Sequence, residues 1–110
     1  MLYKALDRTA ERYWREVEVY SHMMPVYMDA FAVVDGFFIA VDFYGNYATS
    51  PPRVVERNVE RMKVAELSRR NIPFLRLKRN MNAIEIQVEL YTFTRTLKTK
   101  GVMRRFGTRS

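Results

Sequence analysis

The sequence predicts a single α/β domain of the α+β kind, and three observations predict it. An apolar stripe at helical spacing opens the chain. Two runs rich in aromatic and β-branched residues follow, with Asp35-Gly36 between them. A second helical stretch then leads into a short apolar run from Phe74 to Lys78. The 110 residues suffice for one core, and the 48% of them that are hydrophobic suffice to fill it.

In residues 2 to 20, Leu2, Leu6, Ala10, Tyr13, Val17 and Tyr20 recur at helical spacing, opposite Lys4, Asp7, Arg8, Glu11, Arg12 and Arg15. That pattern predicts an amphipathic helix, fading near Ser21 and closed by Pro25. Residues 26 to 34 and 37 to 44 read as strands, and Asp35-Gly36 is the two-residue signal of a type I′ hairpin. Residues 45 to 52 read as loop. Arg53 to Arg70 reads as a helix with Val55, Val59, Met62, Ala65 and Leu67 roughly on one side, ended by Asn71-Ile72-Pro73. Residues 74 to 78 form a third short strand.

The stretch from Asn82 to Lys98 admits two readings on its residues alone. IEIQVEL alternates strictly, as a strand does. Read as a helix, it carries two apolar stripes, Ile84, Val88 and Tyr91 on one side and Ile86, Leu90, Phe93 and Leu97 on the other. Such a helix needs cover on both sides, which makes a homodimer through this C-terminal helix an expectation. Residues 1–98 form the domain, and 99–110 read as a loose basic tail able to touch phosphate.

Composition narrows the function. Lys and Arg number 19 against 12 Asp and Glu, a net charge of +7 dominated by arginine, whose planar fork suits phosphate. Nucleic acid is therefore the expected partner. No apolar run approaches the length of a membrane helix, and the charged N-terminus lacks a signal-peptide core. With no cysteine there is neither a disulfide framework nor a thiolate zinc site. A cytoplasmic, intracellular protein is the simplest expectation, and one encoded by a virus or mobile element is compatible with it.

Two carboxylates interrupt the apolar run. If Asp35-Gly36 is a two-residue turn, Val34 pairs with Phe37, Phe31 with Ala40, and Asp29 faces Asp42. Opposed carboxylates repel unless a cation sits between them, one is protonated, or an Arg or Lys intrudes. Mg²⁺ takes oxygen ligands and is often held by one or two carboxylates plus phosphate and water. Solvated strand ends with no ion are the plain alternative, and a register shifted by one residue would separate the pair. Trp14 reads as core, His22 as incidental, and Tyr44 and Tyr47 as caps on the core rather than base-stacking platforms.

The pattern resembles the restriction-endonuclease-like PD-(D/E)xK superfamily, closest to small proteins related to the very-short-patch-repair endonucleases. Arg8-Thr9-Ala10-Glu11-Arg12-Tyr13-Trp14 is similar to their opening T-x-A-E-x-x-L-W. Met28-Asp29-Ala30-Phe31 and Ala40-Val41-Asp42-Phe43 fall at the separation of their V-D-F and E-I-D-G. Glu60, Lys63, Leu67 and Asn71 fit the spacing of their next helix, and Phe74-Leu75-Arg76 looks like their following strand. The resemblance covers roughly residues 8 to 97. It implies an αβββαβ core, a short mixed sheet flanked by helices, and a final helix over residues 82 to 98.

It also implies a metal-dependent DNA endonuclease using Mg²⁺ or Mn²⁺, of a nicking, repair or mobile-element type. Asp29 and Asp42 would be its metal ligands, Glu11 would position water or complete the shell, and Lys63 would stabilise charge at the phosphate. Arg53, Arg57, Arg61, Arg76, Lys78 and Arg79 are the candidate DNA contacts. The chain departs from the family where Ala40 replaces a glutamate and Asn46 a histidine, and the superfamily lysine is missing from its usual place. Those departures keep an alternative in play: a catalytically inactive nuclease-fold protein acting as a DNA-binding or assembly module.

Overall fold

The computed structural model describes residues 1–19, 25–43 and 54–104, the side chains of 54–56 excepted. His22, Tyr44, Tyr47 and Arg53 lie outside the described residues. The element order is α1 (Leu2–Thr9), β1 (Arg12–Val19), β2 (Val26–Val34), β3 (Phe37–Phe43), α2 (Val54–Arg69), β4 (Phe74–Leu77) and α3 (Ala83–Thr99). The four strands form one mixed sheet in the order β1-β2-β3-β4, antiparallel except for the parallel β3–β4 pair. Helices α1 and α3 cover one face with a core of Leu2, Leu6, Ile86, Leu90 and Leu97 against Ala32, Ile39 and Val41. Helix α2 covers the other face, where Leu67, Val59 and Met62 pack on Phe31, Met28 and Ala40.

The N-terminal helix predicted over residues 2 to 20 is corrected. Only Leu2–Thr9 is helical, and Arg12–Val19 is an edge strand. Ala10 turns to extended backbone, and the Glu11 N–H donates to the Val33 carbonyl at 2.9 Å. The segment RYWREVEV is rich in β-branched and aromatic residues, and pairing with β2 overrides its helical spacing.

The hairpin matches its expected register. Val34 pairs with Phe37 and Phe31 with Ala40. Asp35 and Gly36 have φ of 50° and 77°, the two positive values that a type I′ turn demands.

Helix α2 and strand β4 fall where their patterns placed them, and residues Ala83–Thr99 take the helical of the two readings left open for that stretch, with two further differences. Helix α2 buries Glu66 and Leu67 and half-buries Val59, Met62 and Lys63, while Ala65 is exposed. Its inward face is thus part ionic, which is why an apolar pattern alone misplaced Ala65. Beyond α3, the tail expected to be loose is anchored at Arg104. Its Nε donates to the Asp35 carbonyl at 2.7 Å, and its guanidinium lies 4.9 Å from the Phe37 ring centroid.

Candidate functional site

The backbone ladder between β2 and β3 stops at the Ala30–Val41 pair. The same register would next match Asp29 with Asp42 and then Met28 with Phe43. Instead the Asp29 N–H donates to Asp42 Oδ1 at 3.2 Å, and the Phe43 N–H donates to Asp29 Oδ2 at 3.0 Å. Each carboxylate caps a backbone donor of the opposite strand. The aspartates therefore stand in for ladder hydrogen bonds, which is how two carboxylates are accommodated in an apolar sheet.

A change of face in β2 makes this possible. Ala30, Ala32 and Val34 pack into the α1/α3 core, whereas Val26 and Met28, also even-numbered, pack with Phe31 against α2. The alternation inverts at Asp29. Beside it in β1, Glu16 has φ of 47°, between the paired residues Arg15 and Val17. A non-glycine residue in that left-handed region marks a local twist of the edge strand. Tyr3 braces the inverted point from α1, its hydroxyl donating to the Asp29 carbonyl at 2.9 Å. Tyr3 is in turn stacked against Tyr13, and the Arg15 guanidinium lies 4.2 Å from its ring centroid.

Lys63, two turns before the end of α2, reaches down to Asp42, with Nζ 2.7 Å from Oδ2. The Asp42 residue is only 4% exposed. Burial, reinforced by the Asp29 carboxylate and opposed by Lys63, pushes its carboxyl up to about 6. Arg76 sits beside Asp42 in the parallel ladder, and its guanidinium lies 2.9 Å from Glu60 Oε2 of α2. The Glu60–Arg76 contact is close, but Glu60 Oε2 makes no hydrogen bond of good geometry, so we read it as an ion pair only.

The structure thus brings together Asp29, Asp42 and Lys63. It does not bring Glu11 to them, and this corrects that expectation. Glu11 lies between α1 and β1 rather than on a helix, and its carboxylate accepts the N–H groups of Asp35 and Gly36, both at 3.1 Å. That is the turn end of the sheet, six residues along β2 from Asp29 and roughly 20 Å away at the rise of a strand. No local signal marks this role, because only the pairing of β1 with β2 carries Glu11 to the turn.

The basic candidates divide. Arg57, Arg61 and Arg76 line one surface groove with Glu60, Val64 and Ala65. Arg76 and Lys78 line a second cleft, against Glu85 and Glu89 of α3. Arg79 is exposed in the turn that precedes α3. Trp14, expected in the core, is instead 41% exposed on the edge strand, its ring edge-on to Phe38 with centroids 6.0 Å apart.

The donor set at the aspartates is all hard oxygen. Two carboxylates, with phosphate and water completing the shell, fit a divalent ion such as Mg²⁺. Lys63 already supplies one positive charge against the carboxylate repulsion, and a divalent ion would add to it. Among the described residues no group of three or more carboxylate, imidazole or thiol side chains converges. Ala40, where the resemblance expects a glutamate, is fully buried against α2. No helix among the described residues is long and apolar enough to cross a membrane. No family model, curated protein or solved structure matches this chain.

Proposed function

We propose that the chain is a metal-dependent DNA endonuclease of the restriction-endonuclease-like kind, with Asp29 and Asp42 as ligands for Mg²⁺ or Mn²⁺. The observation that carries the reading is the convergence of Asp29, Asp42 and Lys63 from three elements at a point where the ladder is given up. The αβββαβ order followed by a helix, with β4 parallel to β3, supports it as well.

When bound, such an ion would polarise a phosphate and acidify a water. The chain's own residues do the rest. Asp29 and Asp42 are fixed by the backbone N–H groups they accept, and Lys63 holds the second oxygen of Asp42, so a bound ion would share that oxygen with the ammonium group. Lys63 holds a positive charge beside them, where negative charge develops on an attacked phosphate. Arg57, Arg61 and Arg76 offer a groove along which a phosphate backbone can run.

Burial of Ala40 favours the second reading, a nuclease-fold module that binds DNA without cutting it, because one expected carboxylate is replaced by core. Cleavage of supercoiled plasmid and branched DNA with Mg²⁺ or Mn²⁺, beside the Asp42→Asn variant, separates the two. Metal-dependent nicking abolished by the substitution supports the enzyme. Salt-sensitive binding without nicking supports the module.

A further inference from the structure

Trp14, Phe31 and Phe38 meet across β1, β2 and β3 on the face of the sheet that α2 covers, at the flank of that helix. Trp14 pairs with Phe31 in the β1–β2 ladder, the Phe31 and Phe38 rings stack with centroids 5.2 Å apart, and Trp14 stands edge-on to Phe38. With Leu67 of α2 they wall a cavity of about 290 Å³ beside β1, the edge strand. Trp14 is 41% exposed there. We propose that this cavity receives an unpaired base of a DNA strand, with the base stacked on the Trp14 indole.

The chemistry of the cavity selects this occupant. Its volume lies just below the usual range of ligand sites, about 300–1,000 Å³, so it admits one ring system and not a helix or a folded peptide. A nucleobase offers a flat π-face to aromatic walls and an edge of donors and acceptors. The cavity matches both. Its walls are aromatic, and its rim carries the Glu18 carboxylate as an acceptor and the Arg70 guanidinium as a donor, the latter held by Glu66 through Nε. A hydrocarbon chain would use neither. A base in a strand also brings a phosphate, and the Arg12 guanidinium, 6.0 Å from the Trp14 ring centroid, sets a cation beside the indole for it. The net charge of +7 favours a polyanion over a neutral aromatic ligand.

The inference rests on DNA as the partner, as proposed above, and not on its cleavage. Trp14 belongs to β1, whereas the groove of Arg57, Arg61 and Arg76 is built from α2 and β4, so the cavity and the groove sit toward opposite edges of the sheet. A base inside a duplex cannot enter such a cavity without being unpaired and unstacked. A duplex can therefore use the groove without the cavity, whereas a single strand can use the cavity.

Trp14 is the one tryptophan in the sequence, so its fluorescence reports on the cavity directly. Titrations in EDTA, where metal-dependent cleavage is silent, compare a single strand with the duplex of the same sequence. The single strand should quench Trp14 saturably, and the duplex far less. By anisotropy of a labelled strand, Trp14→Ala should weaken single-strand binding about tenfold, Trp14→Phe should restore most of it, and neither should alter duplex binding. Arg12→Ala should lower the salt slope of single-strand binding by about 1. Single-strand binding with unchanged Trp14 fluorescence overturns the inference and leaves DNA as the partner. An equal loss of single-strand and duplex binding in Trp14→Ala overturns it too, since the residue would then act through the fold. Anilinonaphthalene sulfonate that binds the cavity and is not displaced by single strand would assign it to an apolar ligand, with the same consequence. No binding of either DNA overturns the inference together with the nuclease reading, whereas quenching by single strand without nicking in Mg²⁺ supports the base site and overturns the nuclease alone.

Discussion

Replacing Lys63 with Met should make the stability of this protein strongly dependent on pH. The Asp42 carboxyl is held at about 6, against an ordinary value of 3.8. The folded state therefore keeps this proton more tightly than the unfolded chain. The stability it contributes is complete below pH 3.8 and is lost as the pH rises to about 6. Lys63 is what limits the loss, since it opposes both burial and the Asp29 carboxylate. Methionine keeps much of the stem and removes the charge, so the carboxyl should rise by roughly 2 units, the usual effect of losing a close opposite charge. At about 1.4 kcal/mol per unit, wild type should give up about 1 kcal/mol between pH 5 and pH 8, and the variant about 4. The extra loss of about 3 kcal/mol is a large share of a small domain's stability. Urea denaturation of both proteins at the two pH values measures it, with the slope on urea checked for constancy. An equal pH dependence in the two proteins would refute the claim that Lys63 governs the ionisation of Asp42.

Other predictions follow from the same contacts. Mg²⁺ should raise the melting temperature more at pH 8 than at pH 5, because a protonated Asp42 is no ligand; thermal denaturation with and without the ion shows whether this holds. Tyr3→Phe removes the hydroxyl that braces the Asp29 carbonyl and should cost about 1 kcal/mol in urea denaturation. Glu11→Ala leaves two turn N–H groups without their carboxylate and should cost about 1–2 kcal/mol, with metal-dependent nicking retained per folded molecule. Replacing Arg57 and Arg61 together with Ala should weaken DNA binding and lower the slope of log affinity on log salt by about 2, measured by fluorescence anisotropy.

Much of the architecture is legible in local signals. Asp35-Gly36 sets the hairpin register, and from it the opposition of Asp29 and Asp42 follows by counting. Asn82, three residues before Glu85, makes the capping box that starts α3, although IEIQVEL alternates like a strand. Strand β1 is not legible, because Tyr13 and Val17 continue a spacing begun by Leu2, Leu6 and Ala10. Only the long-range pairing with β2 distinguishes strand from helix there. The inversion at Asp29 is hidden for a related reason: it depends on a positive φ at Glu16, for which glutamate gives no signal. Lys63 was suggested by resemblance alone, since its contact with Asp42 joins residues 21 positions apart. Trp14 departs from the core expected of a large indole bordering an apolar stripe, because an edge strand leaves one flank open.

The two ends of the central hairpin are fastened by different chemistry, and this divides the domain in time as well as in space. Near the turn, backbone pairs, Glu11 and the Lys98 and Arg104 cations around Asp35 hold the strands together. At the other end, two carboxylates hold the N–H groups of Asp29 and Phe43. Amide hydrogens of Ala32 and Ile39 should therefore exchange only through global unfolding. Those of Asp29 and Phe43 should escape through local opening, and faster once protonation takes the charge from the acceptor that holds them. The sheet thus has a closed end and a breathing end, and the candidate site lies at the end that breathes.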